Sequence, residues 1–517
     1  MIAEEQDLRM NRKTRFGRYV MSALLIGIAA IVTHQDVHGA DQQKVRAAGV
    51  AGSFYPSDPA ALTAMIDGML ANASTPAVNG PILAVVAPHA GYQYSGPVAA
   101  FTYAALKGHK YSRVVVIAPS HFEGFDFTSV YDGDAYATPL GTVSVDKAFA
   151  QQLIRQNSSI RFSGRGHLPT SQGTEHALEV QLPWLQRVLG NFTLVPIVMG
   201  DQSYESSRAL GVALAKLIRG GDTLIVASSD LSHYHTYDDA EKIDHKTLSA
   251  LESWDYLSMS RNFQSRIWEA CGGAPIVAAM IAAERMGANR ARVLKYANSG
   301  DVTGDRSRVV GYSADVFFKA QDAKTKEPSF SLSDRDESEL LALARKSVEH
   351  AVQDRHALEP GASASDALNQ EHGAFVTLKE GGDLRGCIGY TSAVKPLYLT
   401  VRDTATLAAL RDPRFGPVTA EELPKLEYEI SVLSPLRRVL DVHEIEVGQH
   451  GLLMKNGDHE GLLLPQVPVE QHWDRMKFLE ETCIKAEMPP DCWKDENTDI
   501  FRFTAVVFGE HRASVQN

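Results

Sequence analysis

Between residues 45 and 319 the chain alternates short, β-branched apolar runs with longer helical stretches, and that alternation restricts the folds open to it. Ile82–Ala87, Val114–Ala118, Thr193–Val198, Leu224–Ala227, Val293–Ala297 and Val309–Phe318 read as strands bounded by turn residues. Helical patterns fall at Ala60–Leu70, Pro97–Leu106, Lys147–Gln156, Leu178–Leu189, Ser206–Leu217, Asp239–Leu251 and Pro275–Met286. Strands that are apolar throughout need cover on both faces, so this order predicts an α/β layer structure.

Three of these strands run into histidine-bearing turns: AVVAPH to His89, VVIAPSH to His121 and IVASSDLSH to His233. Open α/β sheets bind ligands outside the carboxyl ends of their strands. A single histidine in a turn is ordinarily just hydrogen-bonded, but three at one sheet edge read as a metal or acid–base site. Asp230 shares a turn with His233. His176 and Glu179, at i and i+3 in TEHALE, are expected on one helical face, with a helix start capped by Thr174 as the plainer alternative. Cys271 in EACGGAP is either a small buried residue or a thiolate; beside three histidines the thiolate is the reading that adds to the site. Two imidazoles and a thiolate leave open positions on a metal and suit Fe(II), Cu(I) or Zn(II). The bland readings elsewhere are Trp184 and Trp268 in the core, Asp238-Asp239 capping a helix, and GDVTGD (residues 300–305) as a turn.

The polar stretch Gln321–Ser333 marks a linker. From Asp334 the order becomes less regular. A helix (Glu337–Val352), a strand (Ala374–Leu378), a helix (Pro396–Leu410), strands around Tyr428–Val432 and Gly461–Leu464, a helical stretch (Val469–Glu487) and a closing strand (Ile500–Val507) suggest an α+β domain. Gly386 and Gly389 bracket Cys387 in what reads as a tight turn beside Arg385. A neighbouring cation lowers a thiol pKa, so Cys387 is a candidate reactive thiol; the alternative is a structural turn with the side chain packed inward. His372 and His472 exist, but spacing assigns neither to it.

Charge separates the two halves. Of 51 basic and 63 acidic residues, 20 basic and 32 acidic lie in residues 333–517, so that segment carries the whole net −12. Neither half is a polybasic lure for nucleic acid, and the near-neutral first domain suits a small, weakly charged substrate. Four cysteines are too few for a disulfide scaffold, and without a C-x-x-C pair a structural zinc site of the usual spacing is not expected; Cys483 and Cys492 are close enough in sequence to pair in an oxidising compartment. At the N-terminus, Arg9, Arg12, Lys13, Arg15 and Arg18 precede an apolar run from Val20 to Val32 and then Gly39-Ala40, the order of a secretory signal peptide. The expectation is export, to a periplasm-like compartment, with residues 1–40 removed; a retained membrane anchor is the alternative.

GVAGSFYP (residues 49–56), APHAGYQYSG (87–96), APSHF (118–122), TEHALEVQLPWL (174–185), SSDLSHY (228–234) and YANSGDVTGD (296–305) together resemble the Memo family, system protein B of the AmmeMemoRadiSam group, over about residues 45–319. LRGCIGY (384–390), RDPRFGPVT (411–419), EISVLSP (429–435) and LLLPQV (462–467) resemble the AMMECR family, system protein A, over roughly residues 334–511. The first resemblance implies a fold like that of class III extradiol dioxygenases. It places His89, His121 and Cys271 at metal-ligand positions and His233 at the position of the dioxygenase base. Cys271 stands where those enzymes have a glutamate, which sets this site apart from catechol ring cleavage.

The leading expectation is therefore an exported metal protein. Its ligands would be His89, His121 and Cys271 around Fe(II) or Cu, with Zn as a further candidate, and His233, Asp230 and His176 would supply acid–base function. Oxidation of a small phenolic substrate with O₂ is the most concrete activity. A non-catalytic metal- or partner-binding module, docking through its acidic second domain, is the rival; cysteine-dependent hydrolysis at Cys387 is the third reading. No nucleic-acid partner is expected, and no radical-SAM partner, because such an enzyme is cytosolic.

Overall fold

The computed structural model describes residues 43–320, 330–354, 356 and 358–510. The N-terminal leader and most of the linker expected from the sequence lie outside them. Among the described residues no helix is long and apolar enough to cross a membrane.

Four parallel strands form the centre of the first domain. In spatial order they are Ile82–Ala87, Thr223–Ser228, Arg113–Pro119 and Thr193–Met199, each buried on nearly every residue. The sheet extends antiparallel on one side through Val309–Phe318, and on the other through the short Thr128–Val130. Arg290–Asn298 pairs with Val309–Phe318 outside this path. Register matters for function: Ala87 lies opposite Ser228, and Ile117 opposite Ala227. Three neighbouring strands therefore end level, and the turns that follow them emerge at one edge.

Helices cover both faces. Pro59–Asn72, Tyr92–Ala105 and Leu182–Leu189 share one apolar cluster; Tyr204–Leu217, Tyr256–Gln264 and Gly273–Arg285 share another with the opposite sheet face. Their starts follow local chemistry: Asp58, Ser203 and Asp255 each accept a hydrogen bond from a first-turn N–H. Trp184 and Trp268 are buried, as the composition of their segments implied. Asp238 and Asp239 lie in the first turn of Tyr237–Glu252, and Thr236 is the cap. Ser299–Thr303 is one helical turn with a capping box.

The second domain stacks two four-stranded antiparallel sheets. One runs Asp383–Tyr390, Ala374–Glu380, Leu426–Leu433, Ala505–Gly509, with helices Asp334–Gln353 and Leu397–Leu410 packed on one face. The other runs Arg437–Arg438, Asp499–Phe503, Gly451–Asn456, His459–Leu463. Three expectations are corrected here. LRGCIGY is a strand rather than a tight turn, paired antiparallel with Ala374–Glu380 and with a register shift at Arg385. The expected helix over 469–487 is two, Gln466–Glu470 and Arg475–Lys485, interrupted where His472 takes a positive φ of 55°. The closing strand divides at Thr504, whose two sides belong to different sheets. Cys483 and Cys492 form a disulfide across the end of the Arg475–Lys485 helix.

The two domains share a continuous core: Met259, Trp268 and Tyr256 of the first domain lie in one cluster with Leu433, Leu453, Phe501 and Phe503 of the second. Polar contacts reinforce the seam. Asp499 accepts from Arg208, Arg285, Arg438 and Tyr204, and Lys246 pairs with Glu371 at 2.7 Å.

Candidate metal centre

The level strand ends carry the site. His89 follows Ile82–Ala87, His121 follows Arg113–Pro119, and Asp230 follows Thr223–Ser228. Asp230 Oδ1 ties two turns together by accepting the His89 backbone N–H at 2.7 Å. Cys271 enters from the start of Gly273–Arg285, and its Sγ accepts the Asp230 N–H at 3.2 Å. The next residue must be glycine: a Cβ on Gly272 would sit 2.2 Å from the Ser228 carbonyl oxygen.

Hydrogen bonds determine which imidazole nitrogen faces the centre. Ser228 Oγ donates to the Ala177 carbonyl at 2.6 Å and accepts from Gln181 Nε2 at 2.7 Å. Its remaining lone pair accepts His89 Nδ1–H at 2.9 Å, so His89 Nε2 is unprotonated, 3.1 Å from Cys271 Sγ. His121 donates Nδ1–H to Glu175 Oε1 at 2.9 Å, which frees its Nε2 in the same way. His233 donates Nδ1–H to the Leu231 carbonyl at 2.8 Å. In each case the outer nitrogen is engaged, so the neutral ring would turn its lone pair inward, the arrangement that orients metal-binding histidines.

His89, His121 and Cys271 bring their ligand atoms within 4.8 Å of one another; so do Asp230, His233 and Cys271, and so do His121, Glu175 and His176. The structure thus gathers every first-domain residue singled out from the sequence except Glu179. Imidazoles, a carboxylate and a sulfur, held by partners behind them, fit a divalent metal.

Burial and the His121–Glu175 pair set the electrostatics: burial alone would lower the His121 pKa, but the hydrogen bond and charge of Glu175 raise it. His89 is fully enclosed, and burial, aided by His121 and His233, holds its pKa well below the ordinary range. Burial likewise pulls His176 down to about 3, so it acts as an uncharged acceptor. Burial alone would raise Glu175, but the hydrogen bonds from His121 outweigh it and bring the carboxyl down to about 2. Burial pushes the Cys271 thiol up.

The helix expected to carry His176 and Glu179 together does not form there. Residues 173–176 are irregular, and Glu179 lies in a short 3₁₀ turn pointing away from the centre. There Glu179, fully buried, pairs with Arg46 and accepts from Tyr55 and from the N–H groups of Gly49 and Val50. It anchors the GVAGSFYP loop, whose Phe54 covers the His176 ring at 4.4 Å. The carboxylate beside His121 and His176 is Glu175, missed from sequence because a helical period was applied to a loop. Its adjacency to His176 was the available signal.

Cys387 has different surroundings. Its N–H donates to Asp412 at 2.8 Å, Arg414 donates to its carbonyl, and Thr377 Oγ1 lies 3.3 Å from Sγ. Arg385 turns to Glu422, and burial raises the Cys387 thiol pKa. The nearby cations therefore do not produce a ready thiolate.

Fold and site together define a mixed α/β protein of two domains with a candidate metal centre at the strand ends of the first. The chain belongs to the Memo-like protein family, whose model matches residues 46–316, and an AMMECR1 domain follows at residues 341–508. A MEMO1 family protein of Methanopyrus kandleri is 39% identical over 284 residues, 53% of this chain and 98% of that one. A protein of Thermococcus kodakarensis is 45% identical over 181 residues, 33% of this chain and 88% of its own. A crystal structure of an uncharacterized protein from Pyrococcus horikoshii shares 40% identity, covering 35% of this chain and 95% of that chain at a TM-score of 0.35.

Proposed function

We propose that the first domain, built on the plan of the class III extradiol dioxygenases, holds one metal ion on His89 Nε2, His121 Nε2 and Cys271 Sγ. We further propose that it oxidises a small phenolic substrate with O₂. The observation that carries the metal assignment is the ligand orientation: Ser228 and Glu175 take the outer nitrogens, leaving both inner lone pairs beside sulfur. Iron(II) or copper suits that donor set, with zinc a third candidate. Such an ion supplies Lewis acidity toward a phenolic oxygen, and iron or copper supplies redox chemistry as well.

The protein's own groups do the rest. His233 Nε2, with its lone pair free, accepts the phenolic proton. Asp230, buried beside it, fixes the His89 turn and attracts the resulting imidazolium. His176 accepts a hydrogen bond without bringing charge, and Phe54 and Phe122 give the mouth an apolar wall. Export is part of the proposal. It rests on the basic, apolar, small-residue order of residues 1–40 and on a disulfide that suits an oxidising compartment.

Metal analysis of the purified chain tests the assignment. About one Fe or Cu per chain is expected, lost in the His89→Ala/His121→Ala double variant. Full metal content in that variant refutes it. Oxygen-electrode assays of iron-loaded protein with catechols separate enzyme from binding module: turnover abolished by His233→Ala supports the enzyme, whereas intact metal without turnover supports the module.

A further inference from the structure

A cavity of about 420 Å³ lies in the seam between the domains and shares no residue with the metal centre. It is within the size range of small-molecule sites. One wall is the later part of helix Tyr237–Glu252 with Asp255 and Trp268; the other comes from residues 370–373, 391–393 and 433–435 of the second domain. Neither domain alone encloses it.

Its polar groups include two carboxylates, of Asp255 and Glu371. Asp255 is only 7% exposed, yet among the described residues it has no ion-pair partner; it caps the following helix, accepting the Ser258 N–H at 3.2 Å and a further hydrogen bond from the Ser258 side chain. Arg261 and Arg437 attract it only from beyond ion-pair distance, and Arg261 is engaged by Glu460 and Thr391. Glu371 is paired with Lys246, which also lines the cavity, so those two charges cancel. His245 and His372 each place Nδ1 on a backbone carbonyl, of Glu241 and Leu433. The remaining surface is largely apolar, with Trp268 and Leu433 as its bulky members.

A buried carboxylate without a salt bridge, in a largely apolar space that also holds an indole, calls for a cation with an apolar body. We propose that this seam binds a small organic ammonium ion, its charge met by Asp255 and its apolar part covered by Trp268 and Leu433. The site joins both domains, so its ligand contacts exist only in the fused arrangement.

The test uses the full chain and benzylammonium as probe, with benzyl alcohol as neutral isostere, followed by calorimetry or ligand-observed NMR. Benzylammonium is expected to bind saturably and more tightly than benzyl alcohol. Asp255→Asn keeps the helix cap and removes the charge. It should weaken the amine about tenfold or more, the scale of a hydrogen bond to a charged group, and leave the alcohol unchanged. Ser249→Trp, at an exposed position on the rim, should block both. Equal affinity for the two probes overturns the proposal. So does amine binding unaffected by either substitution, or the lack of any saturable binding.

Discussion

Replacing Asp499 by Asn tests whether the two domains unfold as one body. Asp499 is 2% exposed and accepts from Arg208, from Arg285 at 2.9 Å, from Arg438 at 3.4 Å and from Tyr204 at 3.0 Å. Arg208, Arg285 and Tyr204 belong to the first domain, so the carboxylate is the centre of an interdomain cluster. Burial alone would raise its pKa, yet the arginines hold it below the ordinary value. Asparagine keeps the volume but strands three guanidinium groups that are themselves 13–18% exposed. Breaking a buried ion pair from one side costs about 3–5 kcal/mol. Unfolding entropy is about 2.1 cal/mol/K per residue, so some 475 residues unfolding together give about 1 kcal/mol/K. The expected fall in Tm is therefore about 3–5 °C in scanning calorimetry. If the domains part first in the variant, a second, lower transition appears instead. An unchanged single transition within 1 °C of the parent refutes the view that Asp499 holds the seam.

Glu175→Gln removes the carboxylate behind His121 while sparing the proposed ligands, and metal affinity should drop by about 10–100-fold in a competitive chelator titration; unchanged affinity removes Glu175 from the site. Glu284, buried and bonded to Tyr256, has its carboxyl pushed up by burial to about 7 despite Arg438 and Arg285. The folded chain then holds a proton that the unfolded chain loses near pH 4.5, so stability falls as pH rises from 4.5 to 7 and levels off above. At 1.36 kcal/mol per pH unit the full span is at most roughly 3 kcal/mol, and Glu284→Gln should flatten it in denaturant titrations across that window. An identical slope in the variant would show that another group is responsible.

The parallel strands and their histidine turns were legible in the sequence because both are local. A run such as Val114–Ala118 is apolar enough to be read as a buried strand without knowing its neighbours, and a turn must follow it. That His89, His121 and Asp230 meet depends on register, with Ala87 opposite Ser228 and Ile117 opposite Ala227, and register is a long-range property. Glu175 and Glu179 show the limit most plainly. Five residues span both, yet the path of an irregular loop sends one carboxylate to His121 and the other to Arg46. The turn expected around Cys387 is a strand for a related reason: glycines suggest a turn, but Gly386 lies against the Ala408 carbonyl and Gly389 against the Phe375 ring, so their smallness serves close packing along a strand. Composition determined that there would be two unlike domains, one near neutral and one acidic. Only the tertiary structure decided that they share a core, a carboxylate held by three arginines, and a cavity that neither could enclose alone, because those features are made of residues hundreds of positions apart.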